Sequence, residues 1–296
     1  LSRSPISSNY NPKITQFQAA VVFSDASGFT ALTEKLAAQP NGAEKIGACI
    51  NNFFAPMIDI IRNSGGDIVK FSGDAITILW PVMDESTKSS SDVGKYMRCL
   101  SKTNLYEATV AACRCCLHML SEVDRFSTTP VPGVTLGLHM GVGAGEVSML
   151  VVGGLHERWE FCVVGQPLEQ IGIAEGLSKK GEVIVSPQVV ELVHNVNAFT
   201  FHEFGAEDGV HAIGYARIGH RIGVSTPTGA KGPCFKDVES PGAENMDVRL
   251  VRRFIPSSCW RRVKSSSEGG MLDCPEEMRH VSVIFLNIRG VDPFTP

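Results

Sequence analysis

The pair Gly73-Asp74 sits between two short strand-like runs, Asp67–Ser72 and residues 75–80, and it limits the fold more than any other local feature. A Gly/Asp pair flanked by such runs is a hairpin signal, so this part of the chain is expected to pair antiparallel. Before it, residues 19–24 read as a buried strand. The turn Ala26-Ser27-Gly28-Phe29-Thr30 follows, and a helix runs through Glu34 to about residue 38. Residues 42–63 place apolar side chains at Ile46, Ile50, Phe53, Phe54, Met57, Ile58 and Ile61, the spacing of one buried helix face, and Gly65-Gly66 stops that helix. Further on, a helix is expected at 105–123, strands at 134–143, 146–152 and 159–164, a helix at 168–177 and a strand at 182–185. Hairpins replace strict strand–helix alternation in this order. It therefore predicts an α+β fold, with a ferredoxin-like, antiparallel-rich sheet and helices packed on it, rather than a doubly wound parallel sheet.

These elements form a domain over residues 17–204, after an N-terminal tail at 1–16. Residues 83–103 are polar and serine-rich and read as a surface insertion. Over 205–278 glycine, proline and serine become frequent, which marks a linker with short strands. Residues 279–288 then repeat the opening: Val283-Ile284-Phe285-Leu286-Asn287 parallels Ala20-Val21-Val22-Phe23-Ser24-Asp25, an apolar strand ending in an acid or its amide. Residues 279–296 are thus expected to be the first strand of a truncated second domain, in a chain that is a piece of something longer.

A hydrophobic fraction of 43% with 20% charged residues is ordinary globular composition. The formal net charge of -4 provides no basic field for nucleic acid, so a polyanionic ligand would have to be met locally, by metal, backbone N–H groups or a few cations. That points to a small molecule. Apolar runs such as 76–81 and 147–152 fall far short of the roughly 20 residues that span a bilayer, and no signal segment opens the chain, so a cytoplasmic location is expected. The nine cysteines lack the spacing of a disulfide scaffold and read as reduced thiols. Cys113, Cys115 and Cys116 lie in an alanine-rich helical stretch with no partnering Cys/His cluster, which argues against a metal site there.

The chemistry concentrates at two aspartates. Asp25 ends a buried strand, Asp74 lies at a hairpin tip, and in a ferredoxin-like sheet the first strand runs beside that hairpin. Two converging carboxylates repel, and Mg2+ ions at about 2.0–2.1 Å relieve this while leaving positions open for phosphate oxygens. Two such ions stabilise both the attacking and the leaving oxygen of an in-line displacement at phosphorus. Between Asp25 and the next helix, Ser27-Gly28-Phe29-Thr30 lets backbone N–H groups approach an anion at a helix start. Taken singly, Asp25 also fits a helix cap and Asp74 a simple turn residue.

Two long motifs in order, Phe23-Ser24-Asp25-Ala26-Ser27-Gly28-Phe29-Thr30 and Gly65-Gly66-Asp67-Ile68-Val69-Lys70-Phe71-Ser72-Gly73-Asp74-Ala75, resemble the metal motifs of class III nucleotidyl cyclases. The likeness is nearest to the first catalytic domain of the soluble, bicarbonate-responsive adenylyl cyclases and runs from about Phe17 to Val193. The diguanylate cyclase signature is also similar at Gly65-Gly66-Asp67 but lacks the Lys-Phe-Ser-Gly-Asp-Ala continuation. The resemblance implies that Asp25 and Asp74 are catalytic and hold two Mg2+, for which Mn2+ substitutes, with the carbonyl of Ala26 assisting. It implies that Ser27, Gly28, Phe29 and Thr30 seat the phosphates of ATP, whose 3′-hydroxyl attacks the α-phosphorus to give cyclic AMP and pyrophosphate. Purine-reading residues would come from a second cyclase domain in cis.

Three positions depart from the family pattern. His139 stands where a basic phosphate-meeting residue is usual; a histidine is mostly neutral at pH 7, and the position also suits a packed strand residue. Asn287 replaces the metal aspartate of the second domain, leaving one competent metal site per pair of domains. In the family's bicarbonate pocket Lys70 matches the lysine, but Gly172 occupies the arginine position, and a lone ammonium lacks the bidentate fork that fits a carboxylate-like anion. Lys70 also fits a solvated strand lysine. The rival to an enzyme is a non-catalytic cyclase-fold module that dimerises or binds nucleotide or a small anion.

Overall fold

The computed structural model describes residues 14–82, 104–153, 158–220, 252–255 and 259–260. The stretch 83–103, the strand expected at 279–288 with its Asn287, and most of the connecting segment lie outside the described residues. In chain order the elements are β1 (Ile14–Ser27), α1 (Phe29–Ala37), α2 (Gly42–Asn63), β2 (Asp67–Ser72), β3 (Ala75–Val82), α3 (Leu105–Glu122), β4 (Gly137–Gly153), β5 (Trp159–Val164), α4 (Gln166–Leu177), β6 (Val183–Val185), α5 (Pro187–Val193), β7 (Phe199–Glu203) and β8 (Ala216–His220). The sheet runs β2-β3-β1-β4-β6-β8-β7, with β5 paired to the far end of β4. Among the described strands only β4–β6 is parallel; the other pairings are antiparallel, β2–β3 as the hairpin signal required.

Strand alternation sorts the sheet into two faces. On one, Ala20, Val22 and Ala26 of β1 and Leu138, Met140, Val142 and Ala144 of β4 meet α2 and α3 through Phe53, Met57, Ile61 and Met119, with Trp80 of β3 among them. Each buried side chain of this size contributes about 1.5–3 kcal/mol, so this face holds the sheet to its helices. The α2 stripe read from the sequence is the one buried here: Phe53, Phe54, Met57 and Ile61 face inward. On the opposite face Phe17, Ala19 and Val21 of β1 form a smaller cluster with Leu79, Val147 and Ile171 of α4. Asp25 and His139 fall on this second face by the same alternation.

Three differences from the sequence expectations are informative. The strands expected at 134–143 and 146–152 are one strand, β4, of 17 residues. The interruption expected at residues 144–145 is absent, and the glycines of β4 serve as a seat: a Cβ at Gly141 would stand 2.9 Å from the carbonyl oxygen of Ile171, and one at Gly143 would stand 2.6 Å from that of Pro167. Helix α4 therefore lies directly on the strand backbone. Second, β1 begins at Ile14, inside the expected tail. Third, one short strand of the connecting segment, β8, is a sheet member between β6 and β7. Among the described residues Cys113, Cys115 and Cys116 are free and buried on α3. No helix among them is long and apolar enough to cross a membrane.

Candidate metal and nucleotide site

Pairing of β1 with β3 sets Asp25 opposite Ala75, the residue after Asp74. The turn that makes this possible needs Gly73, whose φ of 69° is the left-handed conformation a two-residue hairpin uses at its first position. The two aspartates the sequence singled out are thus neighbours. Burial, and then the charge of Asp74, push the Asp25 carboxyl above its ordinary value; His139 and a hydrogen bond from the backbone of Ala26 pull the other way, and Glu175 adds to the rise. A carboxylate that is three-quarters buried, with a side-chain exposure of 26% and like charges beside it, is a natural cation ligand.

Pairing of β1 with β4 sets Asp25 opposite His139 and Ser27 opposite Gly137. His139 Nδ1 is 3.0 Å from Ser27 Oγ, and its Nε2 lies 3.3 Å from Asp25 Oδ2 and 3.4 Å from Glu175 Oε1. Asp25, His139 and Glu175 form a group whose ligand atoms all lie within 4.8 Å of one another. Glu175 was missed from sequence, although a signal existed: it follows Ile171 by four residues, an acid on the helix face that otherwise carries buried Ile171 and Ala174. Its position is braced by Gln170, which accepts from the Ala144 N–H at 2.9 Å, donates to the Ala144 carbonyl at 3.2 Å and accepts from Ser186 Oγ at 2.8 Å.

The expected phosphate seat is the start of α1. Gly28 precedes it with φ 92°, and a Cβ there would stand 2.7 Å from the Thr135 carbonyl oxygen, so only glycine fits. Among the described residues no side chain caps this end, and no acid lies in its first turn, which leaves backbone N–H groups at Phe29 and Thr30 for an anion. Ser27 instead directs its hydroxyl to His139. Lys70 is exposed on β2, on the face opposite its neighbour Phe71, whose ring packs edge-on against Phe54 of α2 at 6.1 Å. Among the described residues a Cβ at Gly172 would meet nothing within 4 Å, so the position left without an arginine is open there on α4.

Comparison with known proteins agrees with this architecture. The adenylate and guanylate cyclase catalytic domain family matches residues 13–212. Adenylate cyclase type 10 of Oryctolagus cuniculus and of Homo sapiens are each 29% identical to the chain over 184 residues, covering 61% of the chain and 10% of the relative. The chain spans about a tenth of the length of these curated relatives. Among solved structures, the adenylyl cyclase CyaB from P. aeruginosa superposes with a TM-score of 0.54 at 20% identity, covering 71% of this chain and 97% of that one. The guanylate cyclase domain of RhGC from Catenaria anguillulae gives 0.52 at 17%, covering 70% and 99%.

Proposed function

Because the chain belongs to the adenylate and guanylate cyclase catalytic domain family, we propose that it is the metal-bearing half of an adenylyl cyclase active site, converting ATP to cyclic AMP and pyrophosphate. The observation that carries this reading is the meeting of Asp25 and Asp74 beside the open N-terminus of α1. The choice of ATP over GTP rests on the adenylate cyclases among its relatives.

The donor set suits Mg2+: two carboxylates and a backbone carbonyl at Ala26 are hard oxygen ligands, and the like charges that raise Asp25 are what a divalent cation would relieve. Mn2+ would serve in its place. When bound, the two ions supply charge neutralisation at the phosphate oxygens and at the attacking and leaving oxygens. The chain's own part is to position. Asp25 and Asp74 fix where the cations stand, Gly28 lets the backbone approach the triphosphate, and the N–H groups of Phe29 and Thr30 meet its oxygens. His139, one strand over, borders the same seat and is the side chain assigned to the phosphates. The purine and the remaining transition-state contacts would come from a second cyclase domain, in cis in the longer protein, with residues 17–204 as the core of the first. The reaction is proposed as a cytoplasmic one, with ATP and the second cyclase domain as the partners of this chain.

The test is turnover by the full-length protein with ATP and with GTP. The proposal expects Mg2+-dependent cyclic AMP formation that falls by about 100-fold or more in Asp25→Asn and in Asp74→Asn. Unaltered turnover in both variants would refute it, and cyclic GMP as the main product would overturn the substrate assignment.

A further inference from the structure

We infer that Asp25, His139 and Glu175 form a second kind of cation site, a three-donor nitrogen–oxygen site for a borderline transition-metal ion of the Zn2+ class. It shares Asp25 with the proposed Mg2+ seat but does not call on Asp74, so its fate is separable from that reading.

The spacing and the donor types both suit such an ion. His139 Nε2 is 3.3 Å from Asp25 Oδ2 and 3.4 Å from Glu175 Oε1, longer than the roughly 2.7–2.9 Å of a charge-assisted hydrogen bond. A tetrahedral ion with bonds of about 2.0–2.1 Å holds its donors about 3.3–3.4 Å apart, the spacing of both His139 pairs, and the three ligand atoms all lie within 4.8 Å of one another. An octahedral Mg2+ would draw adjacent donors to about 2.9 Å. Donor chemistry agrees: an imidazole nitrogen suits zinc and its neighbours, whereas Mg2+ takes oxygen. Ser27 at Nδ1 provides the outer hydrogen bond that turns a ligating histidine, leaving Nε2 for the ion. Three protein ligands leave a fourth position open. The site is neither sealed nor fully exposed, with side-chain exposures of 15% for His139, 26% for Asp25 and 39% for Glu175.

The site comes from both layers of the structure. β1 and β4 bring Asp25 and His139 into register, while Glu175 arrives only because Gly141 and Gly143 admit α4 and Gln170 fixes its position. Zinc held here engages the Asp25 carboxylate and withdraws it from Mg2+, so zinc would antagonise Mg2+-dependent nucleotide binding.

Calorimetric titration of the chain with Zn2+, its accessible thiols alkylated, tests this directly, with Co2+ absorption as the readout of ligand type. The expected result is one zinc per chain, bound more tightly than Mg2+, with affinity reduced at least about tenfold in His139→Gln and in Glu175→Gln and kept in Asp74→Asn. Melting curves of the metal-free variants check that each still folds; Glu175→Asp, which keeps the carboxylate, should retain more affinity than Glu175→Gln. Undiminished zinc affinity in folded His139→Gln and Glu175→Gln overturns the inference, as does equal loss in Asp74→Asn. Loss of Mg2+-dependent ATP binding in Asp74→Asn with zinc binding intact would confirm that the two sites are distinct.

Discussion

The two faces of the sheet are built on opposite terms. The face under α2 and α3 is apolar and closed: Trp80, Phe53, Met57 and Met119 are fully buried, and the Trp80 indole N–H donates to the Ser64 carbonyl at 3.3 Å. Burial pushes the thiols of Cys113 and Cys115 up to about 12, which keeps them protonated and inert as packing groups. The face under α4 is shallower, lined with glycine where α4 touches β4, and at its end it gathers Asp25, His139 and Glu175 around a shared centre. The contrast teaches a division of labour. One face supplies the stability that lets the other tolerate like charges close together.

That contrast can be broken from either side. The largest effect is expected on the apolar face: Trp80→Ala should cost about 3–5 kcal/mol of unfolding free energy, read from urea denaturation, by emptying a site with no solvent access. Gly143→Ala comes next, at about 1–3 kcal/mol, because its Cβ would stand 2.6 Å from the Pro167 carbonyl oxygen of α4 and 2.9 Å from Gln170 Oε1, which is held by its own hydrogen bonds. Unlike Trp80→Ala, it should also weaken cation binding, since α4 carries Glu175. Two variants of equal stability but unequal metal affinity would sharpen the distinction between the faces, and equal loss of both properties would erase it.

A smaller effect follows from pH. Burial and Asp74 raise the Asp25 carboxyl in the folded state, so the folded chain holds this proton to higher pH than the unfolded one. Its contribution is therefore most favourable at and below the ordinary carboxylate value, and it is lost as pH rises through the raised one. Without metal, Asp25→Asn should be more stable than the wild type at about pH 7 and show no such gain at about pH 3, measured as the difference between their denaturation midpoints. A wild type more stable than Asp25→Asn at neutral pH would contradict it. The smallest effect concerns bicarbonate. With Gly172 leaving open space and Lys70 exposed, the full-length protein should respond by less than about twofold, and Lys70→Ala should not change that. A several-fold response abolished by Lys70→Ala would show that the pocket survives without its arginine.

Much of this was legible in the sequence, for physical reasons that also explain the rest. The α2 stripe and the Gly73-Asp74 hairpin are local patterns: α2 and β2 have the expected bounds, and β3 runs two residues further, to Val82. Asp25 and Asp74 were legible because their motifs are contiguous stretches of chain, and the sheet brings them together. The interruption expected at Ala144-Gly145 is absent, because a glycine in a strand also marks close approach of another segment, as Gly141 and Gly143 do under α4. Glu175 escaped for the same reason. Periodicity puts Glu175 on the buried face of α4, but its role depends on which strands that face docks against, a contact between elements.

The central claim is that Asp25 and Asp74 make a cation and triphosphate seat. Its most direct test is the affinity of the chain for a non-hydrolysable ATP analogue, titrated in Mg2+ and in EDTA, for the wild type, Asp25→Asn and Asp74→Asn. The account predicts tighter binding in Mg2+ for the wild type and no Mg2+ dependence in either variant. Binding by the wild type that is as tight in EDTA as in Mg2+ would contradict it.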